Sequence, residues 1–225
     1  MGRNAGSAGS EADPHQGQPI ETAGAPPQVA ETAVVLLHGR GSTARSFLTL
    51  IDEFLHHGVM YLAPQAAHNS WYPRSGYVPL ETNEPWFSSA LDHVASALEM
   101  AADAGVPLER TLLLGFSQGG CLASEFVARN PSQYGGLVVF SGSLLGTETF
   151  ESDDGSIDGT PVFLGCSSDD PYVAAERIHD SARVFEQLGG DVTSKLYDGL
   201  GHAINDDEIR MVNTFIEHLT ESSHS

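Results

Sequence analysis

The chain of 225 residues carries 10 Lys and Arg against 30 Asp and Glu, which gives a formal charge of −20. A field of this sign repels nucleic acid phosphates and anionic membrane surfaces, and it argues against both as partners. The length and the 40% hydrophobic content fit one globular domain with a sizeable core. No apolar run approaches the roughly 20 residues that a membrane-spanning helix needs.

The basic residues are almost all arginine, since Lys195 is the single lysine. An acidic surface that is nearly free of lysine resembles the surfaces of proteins from salt-adapted organisms, in which hydrated carboxylates keep the protein in solution. An ordinary acidic enzyme is the alternative.

The chain has two cysteines, Cys121 and Cys166, which are too few for a four-ligand zinc site. Both lie in or next to apolar segments. We predict that they are small core residues in a reducing compartment rather than a disulfide.

The first segment, residues 1–13, is polar without periodicity and is predicted to be a disordered tail. It lacks the apolar stretch of a secretory signal, so we expect a cytoplasmic protein. Residues 14–30 are ambiguous, although QPIETAG could add a short edge strand. One domain is predicted over 14–221, followed by a tail at 222–225.

From Thr32 onward, short apolar runs alternate with longer stretches of helical periodicity, which predicts an α/β fold: a mostly parallel sheet with helices on both faces. The predicted strands are 33–39, 59–65, 111–117, 136–142, 161–166 and 191–197. Four apolar stripes with spacings of three and four residues predict core-facing helices. The stripes run from Phe47 to Leu55, from Phe87 to Ala101, from Ile178 to Leu188 and from Ile209 to Leu219.

Two connections are too long to be plain turns. Residues 66–83 contain Trp71, Tyr72 and Tyr77, and this aromatic content predicts an ordered loop. Residues 143–160 are acidic and glycine-rich. Loops of this length in a compact domain are usually functional or disordered, and for the second loop both possibilities stay open.

The chain has one Gly-x-Ser-x-Gly pattern, GFSQG at 115–119, at the point where a predicted strand ends and a helical segment begins. Strand, sharp turn and helix form the nucleophile elbow of α/β-hydrolases, which exposes the serine hydroxyl. A serine that only caps a helix between two turn glycines is the alternative. We predict that Ser117 is a nucleophile.

A nucleophilic serine needs a base and an orienting carboxylate, which in α/β-hydrolases follow it in the order acid, then histidine. His202 lies in the loop after the strand 191–197, whereas the other downstream histidines fall in predicted helices or in the terminal tail. We therefore predict His202 as the base. Asp169 and Asp170 both follow the preceding strand, and Pro171 favours Asp170 because it restricts the backbone of the residue before it.

The oxyanion of acyl transfer needs two preorganised N–H donors. One is expected from the backbone of Gln118, the residue after the nucleophile, and the other from a loop after an early strand. The segment HGRG, residues 38–41, ends the first strong strand. We expect the backbone N–H of Arg40 to point into the site, and we interpret His38 as a structural loop residue.

Six segments together resemble the phospholipase/carboxylesterase family of small α/β-hydrolases, which includes the acyl-protein thioesterases. They are LLHGRGSTA, APQAAHNSWYP, NEPWFSSAL, LLGFSQGG, FLGCSSDDPYV and GLGHAINDDE, and the similarity runs from about residue 14 to 219. The resemblance implies an α/β-hydrolase fold without a separate lid domain, no metal and no cofactor. It implies hydrolysis of carboxylic esters, thioesters or lysophospholipids, and it places the acid directly before Pro-x-Val, which matches Asp170.

The sequence says less about the substrate than about the candidate catalytic residues. Trp71 and Trp86, the two tryptophans, either line an apolar groove or pack beneath the long loop. The charge of −20 disfavours strongly anionic substrates at low salt. We expect a small-molecule ester as the partner, bound by a monomer or a homodimer.

Two other functions are the alternatives to this interpretation. A hydrolase of ring-cleavage products in aromatic or quinone breakdown would carry the same triad. A non-catalytic binding protein on a hydrolase scaffold would carry a broken triad or oxyanion hole, and the sequence shows no such break.

Overall fold

A computed structural model describes residues 13–146 and 155–221. The predicted tails at 1–13 and 222–225 lie outside these residues, with the exception of Asp13. Its carboxylate accepts a hydrogen bond from the hydroxyl of Ser89, so Asp13 belongs to the folded part. Within the acidic connection 143–160, residues 147–154 also lie outside the described residues.

The described residues form one sheet of seven strands, which confirms the predicted strands and adds QPIETAG as an edge strand. The strands are β1 (Ile20–Gly24), β2 (Thr32–Leu37), β3 (Val59–Pro64), β4 (Thr111–Phe116), β5 (Gly136–Phe140), β6 (Pro161–Ser167) and β7 (Asp191–Tyr197). Their spatial order is β1-β3-β2-β4-β5-β6-β7. Strand β1 is antiparallel to β3, and the other neighbouring pairs are parallel.

The inner strands are buried on both faces, which explains why they are continuous apolar runs rather than alternating ones. In β2, Val35 and Leu37 belong to one core, and Val34 and Leu36 belong to the other. Successive side chains of a strand point to opposite sides of the sheet. The sheet therefore needs helices on both sides.

Five helices within the described residues supply this cover. They are α1 (Ala44–Leu48), α2 (Trp86–Asp103), α3 (Gln118–Arg129), α4 (Ala175–Gln187) and α5 (Asp206–Glu221). The side chains of α2, α3 and α4 pack into one core, and those of α1 and α5 pack into the other. Nowhere in 13–146 or 155–221 is a helix both long enough and apolar enough to cross a membrane.

The first predicted helix is shorter than its apolar stripe. Helix α1 ends at Leu48, and a 3-10 turn over Thr49–Glu53 follows it. A 3-10 turn has three residues per turn, so side chains leave the α-helical period there. Phe54 is still buried, but Leu55, the end of the stripe, is 61% exposed.

The long connection 66–83 is ordered and is held from the N-terminal side. Trp71 is fully buried, and its indole N–H donates to the carbonyl of His38 at 2.8 Å. The Nδ1 of His15 accepts the backbone N–H of Ala67, so its Nε2–H donates to the carbonyl of Trp71. His15, at the start of the segment 14–30 whose structure the sequence left ambiguous, therefore anchors the connection 66–83.

Candidate active site

The Gly-x-Ser-x-Gly segment forms the sharp turn that its sequence predicts. Ser117 lies between β4 and α3 with φ 54° and ψ −120°, a strained conformation for a residue with a side chain. Both motif glycines are required, since a Cβ on Gly119 would lie 2.0 Å from the carbonyl oxygen of Leu37. A Cβ on Gly115 would lie 2.3 Å from the carbonyl oxygen of Gly119.

Three side chains from three loops form a continuous hydrogen-bonded chain. The Nε2 of His202 lies 2.9 Å from Oγ of Ser117, and its Nδ1 lies 2.8 Å from Oδ2 of Asp170. An ionised carboxylate can only accept, so Nδ1 carries the proton and Nε2 is free to accept from the serine hydroxyl. This is the tautomer that a general base requires.

The carboxylate of Asp170 is buried and fully engaged. Its Oδ1 accepts the backbone N–H groups of Tyr172 at 2.8 Å and Val173 at 3.1 Å, while Oδ2 faces His202. Burial alone would raise the pKa of this carboxyl, but the hydrogen bonds from His202 and Tyr172 outweigh it and lower the pKa. The group is therefore ionised at neutral pH, as an orienting acid must be.

Asp169 faces a different set of partners. It accepts hydrogen bonds from the hydroxyl of Ser167 and, at 3.4 Å, from the backbone N–H of Gly201, and these bonds lower its pKa. Gly201 has φ 66° in the loop before His202, a backbone conformation that favours glycine. Asp169 thus anchors the histidine loop without touching the imidazole.

Two aromatic rings that were not among the predicted site residues flank His202. The ring centroid of Phe116 lies 4.9 Å from that of the imidazole, and the ring of Tyr172 lies edge-on at 4.8 Å. Tyr172 is 68% exposed, so it stands on the solvent side of the histidine. Phe116 directly precedes Ser117, and Tyr172 lies two positions after Asp170. This closeness in sequence to predicted site residues was the signal that could have identified both rings.

Gln118, one expected oxyanion donor, is the first residue of α3. Its backbone N–H therefore has no acceptor within the helix. Its side-chain amide accepts the backbone N–H of Trp71 at 2.9 Å and donates to the carbonyl of Tyr72 at 2.8 Å. The amide thus ties the long connection 66–83 to the elbow.

Arg40, the other expected donor, lines the same cavity as Ser117 and Gln118. Its guanidinium donates to three consecutive backbone carbonyls, those of residues 72–74, at 2.7 to 3.0 Å. No role was predicted for this side chain from the sequence. It holds the rim of the cavity in a fixed conformation.

His38 is a structural residue, as we interpreted it. It is fully buried, its Nε2 accepts the backbone N–H of Ala66 at 3.1 Å, and its Nδ1–H donates to the carbonyl of Gly39 at 2.9 Å. Burial lowers the pKa of the imidazole. Both ring nitrogens are committed to the backbone.

The two tryptophans lie away from the cavity, so the groove interpretation does not fit. Trp71 is buried beneath the long connection, and Trp86 packs against the rings of His15 and His68. Neither is among the described residues that line the cavity. Their large rings fill the space between the loop and α2 instead.

The cavity beside Ser117 has a volume of about 660 Å³. Its walls include Tyr72, Tyr77 and Leu145 as well as Ser117 and His202. Partly apolar walls with a few polar groups are typical of small-molecule sites. An ester of moderate size fits such a volume.

Glu208, in the first turn of α5, is a fully buried acid that was not among the predicted site residues. Its Oε2 accepts the backbone N–H of Asn205 at 2.9 Å, while Oε1 has no hydrogen-bond partner within the described residues. Burial raises the pKa of this carboxyl to about 7; the Asn205 N–H opposes the rise and the charge of Asp207 adds to it. A Cβ on Gly165 would lie 2.2 Å from Oε1, so the acid packs directly on β6.

We expect Glu208→Gln to stabilise the protein at alkaline pH. The unfolded carboxyl ionises near its usual pKa of 4.5, whereas the folded one holds its proton up to about pH 7. Stability from this group is therefore fully present only below pH 4.5 and is lost as the pH rises from 4.5 to 7, by about 3 kcal/mol in all. The variant cannot ionise, so it should gain most of that amount over the original protein between pH 5 and pH 8 in urea unfolding.

Glu217→Gln is the matched control, because it removes the same charge from the exposed side of the same helix. Its stability relative to the original protein should change little between the two pH values. A Glu208→Gln effect that is the same at pH 5 and pH 8 would show that the buried acid does not titrate as described.

The class of protein follows from three features together. They are a mostly parallel sheet with helices on both faces, a strained turn at the serine, and hydrogen bonds that link serine, histidine and aspartate. These features define a serine hydrolase of the α/β-hydrolase fold. The phospholipase/carboxylesterase family model matches residues 19–220. The chain belongs to the phospholipase/carboxylesterase family.

Individual relatives agree with this membership. The crystal structure of a phospholipase/carboxylesterase from Dyadobacter fermentans DSM 18053 is 38% identical, with a TM-score of 0.84, over 89% of this chain and 96% of that one. A probable carboxylesterase SOBER1-like of Arabidopsis thaliana is 27% identical over 219 residues, which cover 88% of this chain and 82% of that protein. Acyl-protein thioesterase 1 of Gibberella zeae is 34% identical over 122 residues, so this match spans about half of each protein, 53% and 52%.

The chain is thus a carboxylesterase-type hydrolase. The comparisons favour neither a hydrolase of ring-cleavage products nor a non-catalytic binding protein.

Proposed function

We propose that the chain cleaves carboxylic esters and thioesters through an acyl-enzyme on Ser117, with His202 as the base, Asp170 as the orienting acid, and the backbone N–H groups of Arg40 and Gln118 as the oxyanion hole. The observation that carries this proposal is the unbroken hydrogen-bonded chain from Ser117 through His202 to Asp170. A non-catalytic binding protein with this fold has no need for these three side chains to be hydrogen-bonded to one another.

The first half of the reaction forms the acyl-enzyme. His202 takes the proton of Ser117 as the serine oxygen attacks the acyl carbon, and the two backbone N–H groups stabilise the oxyanion. Asp170 stabilises the imidazolium that forms. His202 then gives the proton to the departing alcohol or thiol as the acyl bond breaks.

Hydrolysis of the acyl-enzyme repeats these steps with water. His202 removes a proton from the water as its oxygen attacks the acyl carbon, and it returns that proton to Oγ of Ser117 when the acid leaves. The residues of this chain supply every proton transfer in the cycle.

A panel of 4-nitrophenyl esters from acetate to octanoate, with a thioester of matched acyl length, tests this function. We expect turnover of both classes and, where deacylation is slow, a burst of one nitrophenol per chain. Absence of turnover across the whole panel, together with absence of labelling by a fluorophosphonate, would refute the proposal in favour of a binding protein.

The cytoplasmic location, the oligomeric state and the salt-adapted surface stay predictions, and the last is testable directly. Because unscreened carboxylates repel one another in a chain of charge −20, we expect the melting temperature to rise between dilute buffer and molar KCl. A matched scan in sucrose separates charge screening from a general solute effect. A melting temperature that is flat or falls in KCl would contradict salt adaptation.

A further inference from the structure

The cavity beside Ser117 has a charge opposite to that of the whole chain. Its described lining residues include two arginines, Arg40 and Arg74, and none of them is Asp or Glu. The chain as a whole has three acidic residues for each basic one, 30 against 10. If the residues around the cavity had the composition of the whole chain, acidic residues would outnumber basic ones there by three to one.

A third arginine lies just behind the wall. The guanidinium of Arg177 lies 4.7 Å from the ring centroid of Tyr77, which lines the cavity. It also donates to the carbonyls of Leu144 and Gly146 at 3.0 and 2.8 Å. A positive charge held by two carbonyls therefore lies against the ring of Tyr77.

Two carboxylates beside the cavity already have hydrogen-bond partners. Asp170 is held by His202 and two backbone N–H groups. Glu125 is buried, forms an ion pair with Arg129 at 2.7 Å, and accepts the backbone N–H of Leu145 at 2.7 Å. Both carboxylates are therefore engaged by groups other than Arg40 and Arg74.

Arg74 is the arginine best placed to meet a ligand. Its backbone is fixed on both sides, since its N–H donates to Oδ1 of Asn83 at 2.8 Å and its carbonyl accepts from Arg40 at 2.9 Å. Its residue is exposed at the cavity wall. The planar donors of a guanidinium match both oxygens of a carboxylate.

We propose that this cavity selects esters that carry a carboxylate a few bonds from the scissile carbonyl, such as half-esters of short dicarboxylic acids, and that Arg74 binds this carboxylate. The proposal rests on the esterase function proposed above. It reverses, for this site, the expectation that a chain of charge −20 disfavours anionic substrates, because a ligand inside the cavity meets the local charges at short range.

The test compares pairs of substrates in which a carboxylate in one member is replaced by a neutral group in the other. On the acyl side the pair is mono-4-nitrophenyl glutarate and 4-nitrophenyl valerate, and on the leaving-group side it is 4-acetoxybenzoate and 4-acetoxybenzamide. The ratio of kcat/KM for the anionic and neutral members is measured in the original protein and in Arg74→Gln, Arg74→Lys and Arg183→Gln. Differences in intrinsic reactivity cancel when ratios are compared between variants.

In at least one pair, we expect Arg74→Gln to lower the ratio by roughly fivefold to tenfold, as loss of one partly solvated charge contact should. Arg74→Lys should retain most of the ratio. Arg183→Gln removes the same charge from an exposed site on α4, away from the cavity lining, and should leave the ratio unchanged. Free glutarate should inhibit valerate ester hydrolysis competitively, and less so in Arg74→Gln.

Two failures are distinguishable. If the neutral esters are hydrolysed but neither ratio nor glutarate inhibition depends on Arg74, the carboxylate site is refuted and the esterase function stands. If no ester is hydrolysed by the original protein, the esterase function is refuted and the substrate proposal falls with it.

Discussion

Replacement of Ser117 by alanine is expected to lower the rate of ester hydrolysis by about 10⁴-fold or more, because the members of a triad act as one unit. The hydroxyl oxygen lies 2.9 Å from Nε2 of His202, so the substitution removes both the nucleophile and the proton that the base takes. The measurement is kcat on one activated ester, together with labelling by a fluorophosphonate. The original protein should be labelled once per chain and the variant not at all.

Ser75→Ala is a matched control for this experiment. Ser75 lines the same cavity but lies on the exposed loop, where its hydroxyl accepts the backbone N–H of Tyr77 at 3.2 Å. Labelling should persist in this variant. If the Ser117→Ala protein were still labelled, another residue would be the nucleophile and the elbow assignment would be wrong.

The positions of the three candidate catalytic loops could be predicted because each loop follows a predicted strand, although only β4 and β6 are largely apolar and β7 is the mixed segment DVTSKLY. Strands β4, β6 and β7 lie parallel in one sheet, so their C-terminal ends meet at one edge. Chain order then selects His202, since the other downstream histidines lie in helices or in the terminal tail. The local sequence pattern is sufficient to predict where a loop lies when the strands before it belong to one regular sheet.

The cavity wall could not be predicted, because contacts between distant segments decide it. Trp71 is held by His15, which is 56 positions away in sequence, and this contact directs the tryptophan into the core rather than into the site. The guanidinium of Arg40 reaches carbonyls more than 30 positions further on. Residue type alone does not encode which way such a loop folds.

Position in the chain alone could not identify the residue that acts as the acid of the candidate triad. Asp169 and Asp170 are adjacent, and only the direction of each side chain separates them. A Pro171 that begins a helix would make Asp170 an N-cap, but α4 begins at Ala175. The Asp170 carboxylate instead accepts two backbone N–H groups with one oxygen and faces His202 with the other.

We therefore expect Asp170→Asn to lower kcat by roughly 10⁴-fold, as in other triads whose acid is replaced by its amide. The asparagine oxygen can still accept the N–H groups of Tyr172 and Val173, which leaves the NH₂ group facing Nδ1 of His202. Nδ1 must then accept, the proton moves to Nε2, and the imidazole can no longer take the proton of Ser117.

Asp169→Asn is the matched control, because its amide oxygen can still accept from Ser167 and from the N–H of Gly201, and neither contact reaches the imidazole. We expect this variant to retain kcat within a few-fold on the same activated ester, and equal melting temperatures would show that both proteins are folded. Near-normal turnover by Asp170→Asn would overturn the assignment whatever Asp169→Asn does. A large loss in Asp169→Asn alone would make Asp169 the orienting acid, with the histidine loop in a different position during the reaction.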